Sequence, residues 1–196
     1  CESRVIQAEQ IIVALNAYSM PILRSLGTSL PCYPYPRHVF AISPPPSYPE
    51  EALPMTIFSD HDLMLRFERN RLLAICGFRE RSSADEMLIP GRLDEARRRI
   101  LARVDITTRK VEAAWSGLRA VTPDRRALVG ALPGVPGAWC AIGFSGHGLM
   151  HAPAVGLALA EMITGADRPT FDLAPLDPKR FLNWDGEPPI IEPTHV

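Results

Sequence analysis

Apolar residues recur along the chain with two different periods, and the changes from one to the other divide it into parts. Val5, Ile6 and Ala8, followed by the unbroken run Ile11-Ile12-Val13-Ala14, predict a strand over 5–14 of the kind buried in a parallel sheet. Asn16-Ala17-Tyr18-Ser19 follows as a turn. Pro21 and Gly27 then bracket a short helix, because proline suits the first helical turn and glycine the position just past the last. Prolines and aromatics crowd 31–54, which rules out helix there. Within that region 33–42 alternates like a strand interrupted at Pro34 and Pro36, and Pro44-Pro45-Pro46-Ser47 reads as a loop. Three more short strands are predicted at 55–58, 63–67 and 72–76, joined by turns at Asp60-His61-Asp62 and Arg69-Asn70-Arg71. The result is a small antiparallel sheet.

Helical spacing returns over 92–105, where Leu93, Ala96, Ile100, Leu101 and Val104 share a face and Arg97, Arg98, Arg99 and Arg103 form a solvated one. Strands follow at 111–115, 127–130 and 139–142, with Gly117-Leu118-Arg119 and the turn Thr122-Pro123-Asp124 after the first of them. The last strand ends in Gly143-Phe144-Ser145-Gly146-His147-Gly148. A long helix comes next, with Pro153 expected at its first position, Gly165 just past its end, and Val155, Leu157, Leu159, Met162 and Ile163 on its apolar faces. From 172 onward a proline-rich tail offers Phe181 and Trp184 as anchors. There is no internal repeat.

Length narrows this to one large domain or two small ones, since the chain has 196 residues. A net charge of −1 and the lack of a basic stripe argue against a nucleic-acid partner, whose phosphates require Lys and Arg. No stretch approaches the roughly 18 apolar residues of a membrane span, and a cytoplasmic location is the default expectation. Cys1, Cys32, Cys76 and Cys140 are widely spaced with no C-x-x-C pair, so reduced, buried thiols are expected rather than zinc ligands or a disulfide framework. Asp60, His61 and Asp62 are adjacent, which points successive side chains to opposite sides and favours a solvated turn over a metal site. The chain starts at Cys1 without a Met and reads as a piece of something longer.

Candidate chemistry concentrates at 143–148. Glycines there let the backbone approach a ligand closely, and the helix that follows presents unpaired N–H groups and a partial positive charge, suited to an anion or an electron-rich carbonyl. The unit over 5–27 makes a strand, a turn and a helix, and ligands of open α/β sheets sit beyond the carboxyl ends of the strands. Asn16 to Ser19 are therefore either ligand neighbours or a plain connection.

Taken in order, Trp115-Ser116-Gly117-Leu118-Arg119, Thr122-Pro123-Asp124, Val129-Gly130, Gly143-Phe144-Ser145-Gly146-His147-Gly148, and a helix with Gly156 and Glu161 closed by Gly165 resemble the C-terminal part of the FAD-dependent amine and D-amino-acid oxidoreductases. That family includes D-amino-acid oxidase, glycine oxidase and the sarcosine oxidases. Ile11-Ile12-Val13-Ala14 with Asn16-Ala17-Tyr18-Ser19 is similar to the strand and turn where the family's chain leaves its FAD domain. The resemblance implies an α/β (α+β overall) fold: the C-terminal part of a Rossmann-type FAD domain carrying an inserted antiparallel-sheet substrate domain. Its implied parts are 1–31 and 111–178 for the FAD domain, 32–110 for the substrate domain and 179–196 for a tail. The family's G-x-G-x-x-G fingerprint is absent, so either the ADP half of FAD sits on an N-terminal half in the same longer chain, the first expectation, or a partner subunit supplies it, or the protein is a relative that has lost the cofactor.

By the same resemblance the chain takes part in oxidising an amine or amino acid to an imine, with a hydride passing to the flavin and water hydrolysing the product. Gly143, Phe144, Ser145, Gly146, His147 and Gly148, with Asn16 and Ala17, are the implied cofactor contacts, and the N–H groups of 145–148 the implied donors to the flavin's pyrimidine side. His147 stands either at the flavin edge, as the one candidate catalytic group, or as a turn residue held by hydrogen bonds; His151 is expected to be structural. Arg119 matches by motif position the arginine that grips a substrate carboxylate, against a salt bridge to Asp124 or Glu112. Arg66 is the second implied substrate contact, although Leu63-Met64-Leu65 stand before it where family members often carry a tyrosine. Tyr33, Tyr35 and Tyr48 are substitutes for that tyrosine or packing residues. Two rivals remain: a non-catalytic binding or subunit-contact module, and a serine hydrolase using Ser145 with a histidine such as His195. The hydrolase motif G-x-S-x-G fails at His147.

Overall fold

The structure is a computed structural model that describes residues 5–43, 54–59, 62–77, 91–103, 110–167 and 169–188. Cys1, the loop Pro44–Ser47, Tyr48, Asp60, His61, Val104 and His195 lie outside these residues. The described residues divide into two compact units, one drawn from Cys1–Tyr33 and Ala120–Pro189, the other from Pro34–Arg119. The boundaries expected at 110 and 178 therefore move. The strand after 110 goes with the small sheet through Arg119, and the start of the supposed tail packs into the first unit.

In the first unit β1 (Ile11–Val13) pairs in parallel with β8 (Ala138–Ile142), and β8 pairs antiparallel with β7 (Leu128–Ala131), giving the order β1-β8-β7. The register Ile11↔Ala138, Ile12↔Trp139, Val13↔Cys140 allows β1 only three residues. The expected strand over 5–14 is thus shorter: Val5 and Ile6 are exposed and unpaired, because the partner strand begins only at Ala138. Asn16–Tyr18 forms a 3-10 turn and leads into α1 (Ser19–Ser25), which buries Leu23. After β8 comes α3 (Gly148–Thr164), which lays Val155 and Leu159 on a cluster with Ala127 and Val129. Gly165 closes it: Ala166 N–H bonds to Glu161 O at 2.9 Å and Gly165 N–H to Met162 O at 3.4 Å, the paired pattern of a Schellman cap. Pro153 does not open this helix but lies inside it. Its ring denies one backbone bond to the carbonyl of Leu149, a residue at the exposed helix start where water can take that place.

The second unit is a five-stranded antiparallel sheet, β3-β4-β5-β2-β6, formed by β2 (Tyr33–Ile42), β3 (Thr56–Phe58), β4 (Leu63–Glu68), β5 (Arg71–Gly77) and β6 (Val111–Val121). Pro34 and Pro36 do not break β2, since its ladder with β5 starts at Arg37↔Gly77, beyond both missing N–H groups. β6 runs six residues past Trp115 as an edge strand beside β2. One face of the sheet, carrying Phe40, Ile42, Leu63, Leu65, Leu72 and Ala74, is closed by Ala96 and Ile100 of α2 (Arg92–Leu101). Arg97 and Arg98 are solvated as expected, but Arg99 is not. It turns inward, pairs with Glu95 and donates to the carbonyl of Gly77 at 2.8 Å, tying α2 to the end of β5. Asp62 is likewise no free turn residue: both its oxygens accept from Arg37, at 2.6 and 2.7 Å. Among the described residues no group of acids, histidines and cysteines is placed to hold a metal, and no helix is long and apolar enough to cross a membrane.

Leu65 is fully buried on the closed face while its neighbour Met64 is half-buried on the other. Leu65→Ala is expected to cost about 3 kcal/mol of unfolding free energy, transfer plus cavity, and Met64→Ala less than half as much; urea unfolding of the two variants checks the difference.

Candidate functional site at the turn after β8

The parallel pairing of β1 and β8 fixes where a ligand can meet the first unit. Both strands leave the sheet at the same end, so Asn16-Ala17 and the turn Gly143 to Gly148 lie together at the carboxyl edge. Asn16 is itself left-handed, with φ 49°, and Ala17 is buried beneath it. The structure thus brings together the two cofactor stretches that are 127 residues apart in sequence, counted from Asn16 to Gly143.

The turn is held from below by the end of β6. Val121 bridges Phe144, and the N–H of Ser145 donates to Ala120 O at 3.1 Å. Gly143 has φ 71°, and a Cβ there would lie 2.6 Å from Cγ2 of Thr122, which is completely buried. No other residue satisfies both conditions. Gly148 is different: a Cβ would meet Phe144 at an ordinary 3.4 Å, so its place rests on no backbone demand.

The donors differ from those expected. Ser145 N–H is committed to Ala120, and His147 N–H donates to Phe144 O at 3.0 Å. Gly146, Gly148, Leu149 and Met150 remain, with no acceptor among the described residues, and His147 supplies no side-chain cap to the helix. The donor set therefore runs from Gly146 of the turn into the start of α3. Leu149 and Met150 stand 93% and 70% exposed there. Such an uncapped, open helix start fits an electron-rich carbonyl or an anion.

Ser145 is buried, left-handed at φ 53°, and its Oγ lies 3.4 Å from Gly143 O. The strained backbone matches a nucleophile elbow, yet no imidazole bonds to Oγ among the described residues, so the hydrolase reading lacks its base. His147 and His151 instead face one another, ring centroids 6.2 Å apart, with Phe144 6.3 Å from His151.

Arg119 is half-buried at the end of β6, directly before Ala120. Both acids weighed as its partner pair with other residues. Glu112 pairs with Arg71 at 2.9 Å and with Ser43, and Asp124 pairs with Arg180 at 2.8 Å. Arg66 is exposed on the open face of β4, beside Glu68 at 3.6 Å. Of the tyrosines, Tyr35 is buried as a packing residue.

Sequence reasoning missed Arg180. From the 3-10 turn Pro178–Phe181 it reaches both oxygens of Asp124 and the carbonyls of Arg126 and Ala127, and so pins the Thr122-Pro123-Asp124 turn. Asp177 before Pro178 was the available signal: an acid ahead of proline is a helix-start pattern, and its Oδ1 accepts from Lys179 N–H at 2.8 Å. Phe181 is the buried anchor of this segment, while Trp184 rests edge-on against it and stays 41% exposed. Cys32, Cys76 and Cys140 are buried free thiols, and burial pushes each up to about 12.

A fold of this kind, a mixed sheet whose parallel pair leads into a glycine turn and helix, with an antiparallel sheet inserted in sequence between its halves, is shared by solved flavoenzymes. Glycine oxidase from Geobacillus kaustophilus superposes on 90% of the chain and 47% of its own length, with a TM-score of 0.76 and 24% identity. L-proline dehydrogenase from P. horikoshii covers 88% of the chain and 46% of its own, with a TM-score of 0.74 and 25% identity. The family model for FAD dependent oxidoreductases matches residues 2–162. The chain belongs to the FAD-dependent oxidoreductase family, and FAD is its cofactor. Among curated relatives, glycine oxidase of Pseudomonas putida is 26% identical over 183 residues, 91% of this chain and 47% of that protein. FAD-dependent oxidoreductase domain-containing protein 1 of Xenopus laevis is 42% identical over 80 residues, 40% of this chain and 16% of that protein. The chain thus spans less than half the length of the curated relatives it matches.

Burial alone would raise the Asp124 carboxyl, but the Arg180 fork, the Arg126 N–H and Thr122 overcome it and hold the group below its ordinary value. Its stabilising contribution is then complete above the unfolded aspartate value of about 3.9 and is lost as pH falls through the lower folded value. The stability difference between the wild type and Asp124→Asn is expected to be constant near neutrality and to shrink towards zero in acid; a gap that persists undiminished in acid unfolding curves contradicts it. Arg180→Ala removes the pin from the other side, with an expected loss of about 2 kcal/mol in urea unfolding.

Proposed function

We propose that this chain carries the pyrimidine-side flavin contacts and the substrate-binding arginines of an enzyme that oxidises an amine or amino acid to an imine. The observation that carries the reading is the open start of α3, where the N–H groups of Gly146, Gly148, Leu149 and Met150 have no acceptor among the described residues. FAD, when bound, supplies the two-electron acceptor: the C–H bond beside the substrate nitrogen breaks, its electron pair leaves with the hydride, and water hydrolyses the imine.

The chain's own residues serve position and charge. Donors at a helix start stabilise negative charge that develops on a facing carbonyl. Gly143 keeps the turn low enough for that approach, and Asn16-Ala17 line the same sheet edge. Arg119 binds the substrate carboxylate through two parallel hydrogen bonds, which fixes the orientation of the carbon to be oxidised. Its motif position supports this role. Arg66 is a second substrate contact from the open face of β4, and His147 adjoins the cofactor edge.

A nucleotide-binding half completes the site, in the same longer chain or in a partner subunit. The free edge of β1 supports this. A parallel strand is ordinarily covered on both faces, yet Ile11 and Ile12 are 47% and 48% exposed and no strand pairs beyond them among the described residues.

The test is anaerobic reduction of the bound flavin by a panel of D-amino acids, sarcosine and N-alkyl glycines, read as bleaching of the visible band. Loss of that band with at least one substrate is expected. Arg119→Gln should raise KM for carboxylate substrates roughly a hundredfold, about 3 kcal/mol, while leaving flavin binding intact. Flavin bound without bleaching across the panel leaves a non-catalytic flavoprotein, and no flavin uptake at all removes the reading.

A further inference from the structure

A cavity of about 420 Å³ opens against the first turns of α3; it shares Phe144 and His147 with the flavin reading and adds Arg126, His151 and an apolar wall that the reading does not use. Phe144, Val155, Leu173 and Leu176 form an apolar wall, and Arg126, His147 and His151 bring nitrogen to it. Its size and composition fall in the class of small-molecule sites: mostly apolar, with a few polar groups that converge.

Arg126 lines the cavity, and the acid there is Asp172. That acid is committed to its own loop, Oδ1 accepting from Ala174 N–H at 2.9 Å. Arg126 uses its backbone in the Asp124 turn, its N–H on Asp124 and its carbonyl taking bonds from Thr122 and Arg180. Its guanidinium, by contrast, makes no hydrogen bond among the described residues, nor do the ring nitrogens of His147 and His151. Three nitrogen groups with unused donor capacity thus meet an apolar wall.

We propose that this cavity is a binding site for a small organic carboxylate with an apolar body. The Arg126 fork takes the carboxylate, since a planar guanidinium matches two carboxylate oxygens. The imidazoles of His147 and His151 flank it. The body lies on Phe144, Val155, Leu173 and Leu176, whose burial supplies the driving force that a bare anion cannot. The site lies wholly in the first unit and does not depend on the proposed amine oxidation.

The experiment is titration calorimetry of the full-length, FAD-loaded protein with octanoate, and with acetate and octan-1-ol as probes that lack the body or the charge. Saturable one-to-one binding of octanoate is expected, with acetate and octanol at least tenfold weaker. Arg126→Gln should weaken octanoate at least tenfold, and Ala154→Trp, which fills the cavity from the exposed side of α3, should abolish it. Flavin absorbance and melting temperature should not change in either variant, because neither side chain takes part in the fold's bonds; flavin content is read separately, so failure of the flavin reading is distinguishable. Absence of saturable octanoate binding, octanol binding as tightly as octanoate, or both variants binding like the wild type overturns the proposal.

Discussion

Thr122 pressed against Gly143 is the contact on which the candidate site depends. The threonine is fully buried, and its methyl occupies the space that a side chain at 143 would need. Its hydroxyl lies 2.7 Å from Arg126 O and its own carbonyl accepts from Arg125 N–H at 3.0 Å, so one residue sets the height of the glycine turn and the shape of the loop after β6. The bridge Val121↔Phe144 and the bond from Ser145 N–H to Ala120 O lock the same two segments side by side. A larger residue at 143 would have to push Thr122 away and, with it, the loop that Arg180 clamps. Two sequence motifs that look independent are therefore one mechanical unit.

That unit is stabilised differently from the small sheet. The sheet and α2 close an apolar core in which Phe40, Leu65 and Ile100 are almost wholly buried, and its polar ties, Arg37 with Asp62 and Arg99 with Gly77 and Glu95, sit at the rim. The loop 122–127 has little apolar surface to bury. It is fixed by convergent charge-assisted bonds to one carboxylate and two carbonyls, which hold a definite shape over short range. The difference suits the roles: a core tolerates breathing, whereas a turn that presents backbone donors must keep its geometry.

Much of this was legible along the chain because local pattern and final context agree. The strands at 33–42, 63–68 and 71–77, the helix closed by Gly165 and the glycine turn follow directly from period, turn chemistry and motif order. The departures share a cause: each was decided by a partner distant in sequence. The strand over 5–14 shrinks to Ile11–Val13 because β8 starts at Ala138. β6 extends through Gly117 because β2 lies beside it. Arg99 leaves the solvated face because the carbonyl of Gly77 waits at the end of β5. Arg180, 56 residues from Asp124, carries no local pattern of its own.

The donors are the sharpest case. Read from sequence, the N–H groups of 145–148, where the turn enters the helix, are the implied donors, and glycine permits close approach. Folding spends two of those N–H groups inside, on Ala120 and Phe144, to hold the turn in place. Among the described residues the N–H groups of Gly146 and Gly148 stay unpaired, and those of Leu149 and Met150 at the helix start join them. This also accounts for two large apolar side chains standing in the open at the start of α3. In the first turn of a helix the N–H groups point out along the axis while the side chains splay from it. A residue whose backbone donor is what a site uses is free to expose its side chain, and under the proposed function Leu149 and Met150 are such residues.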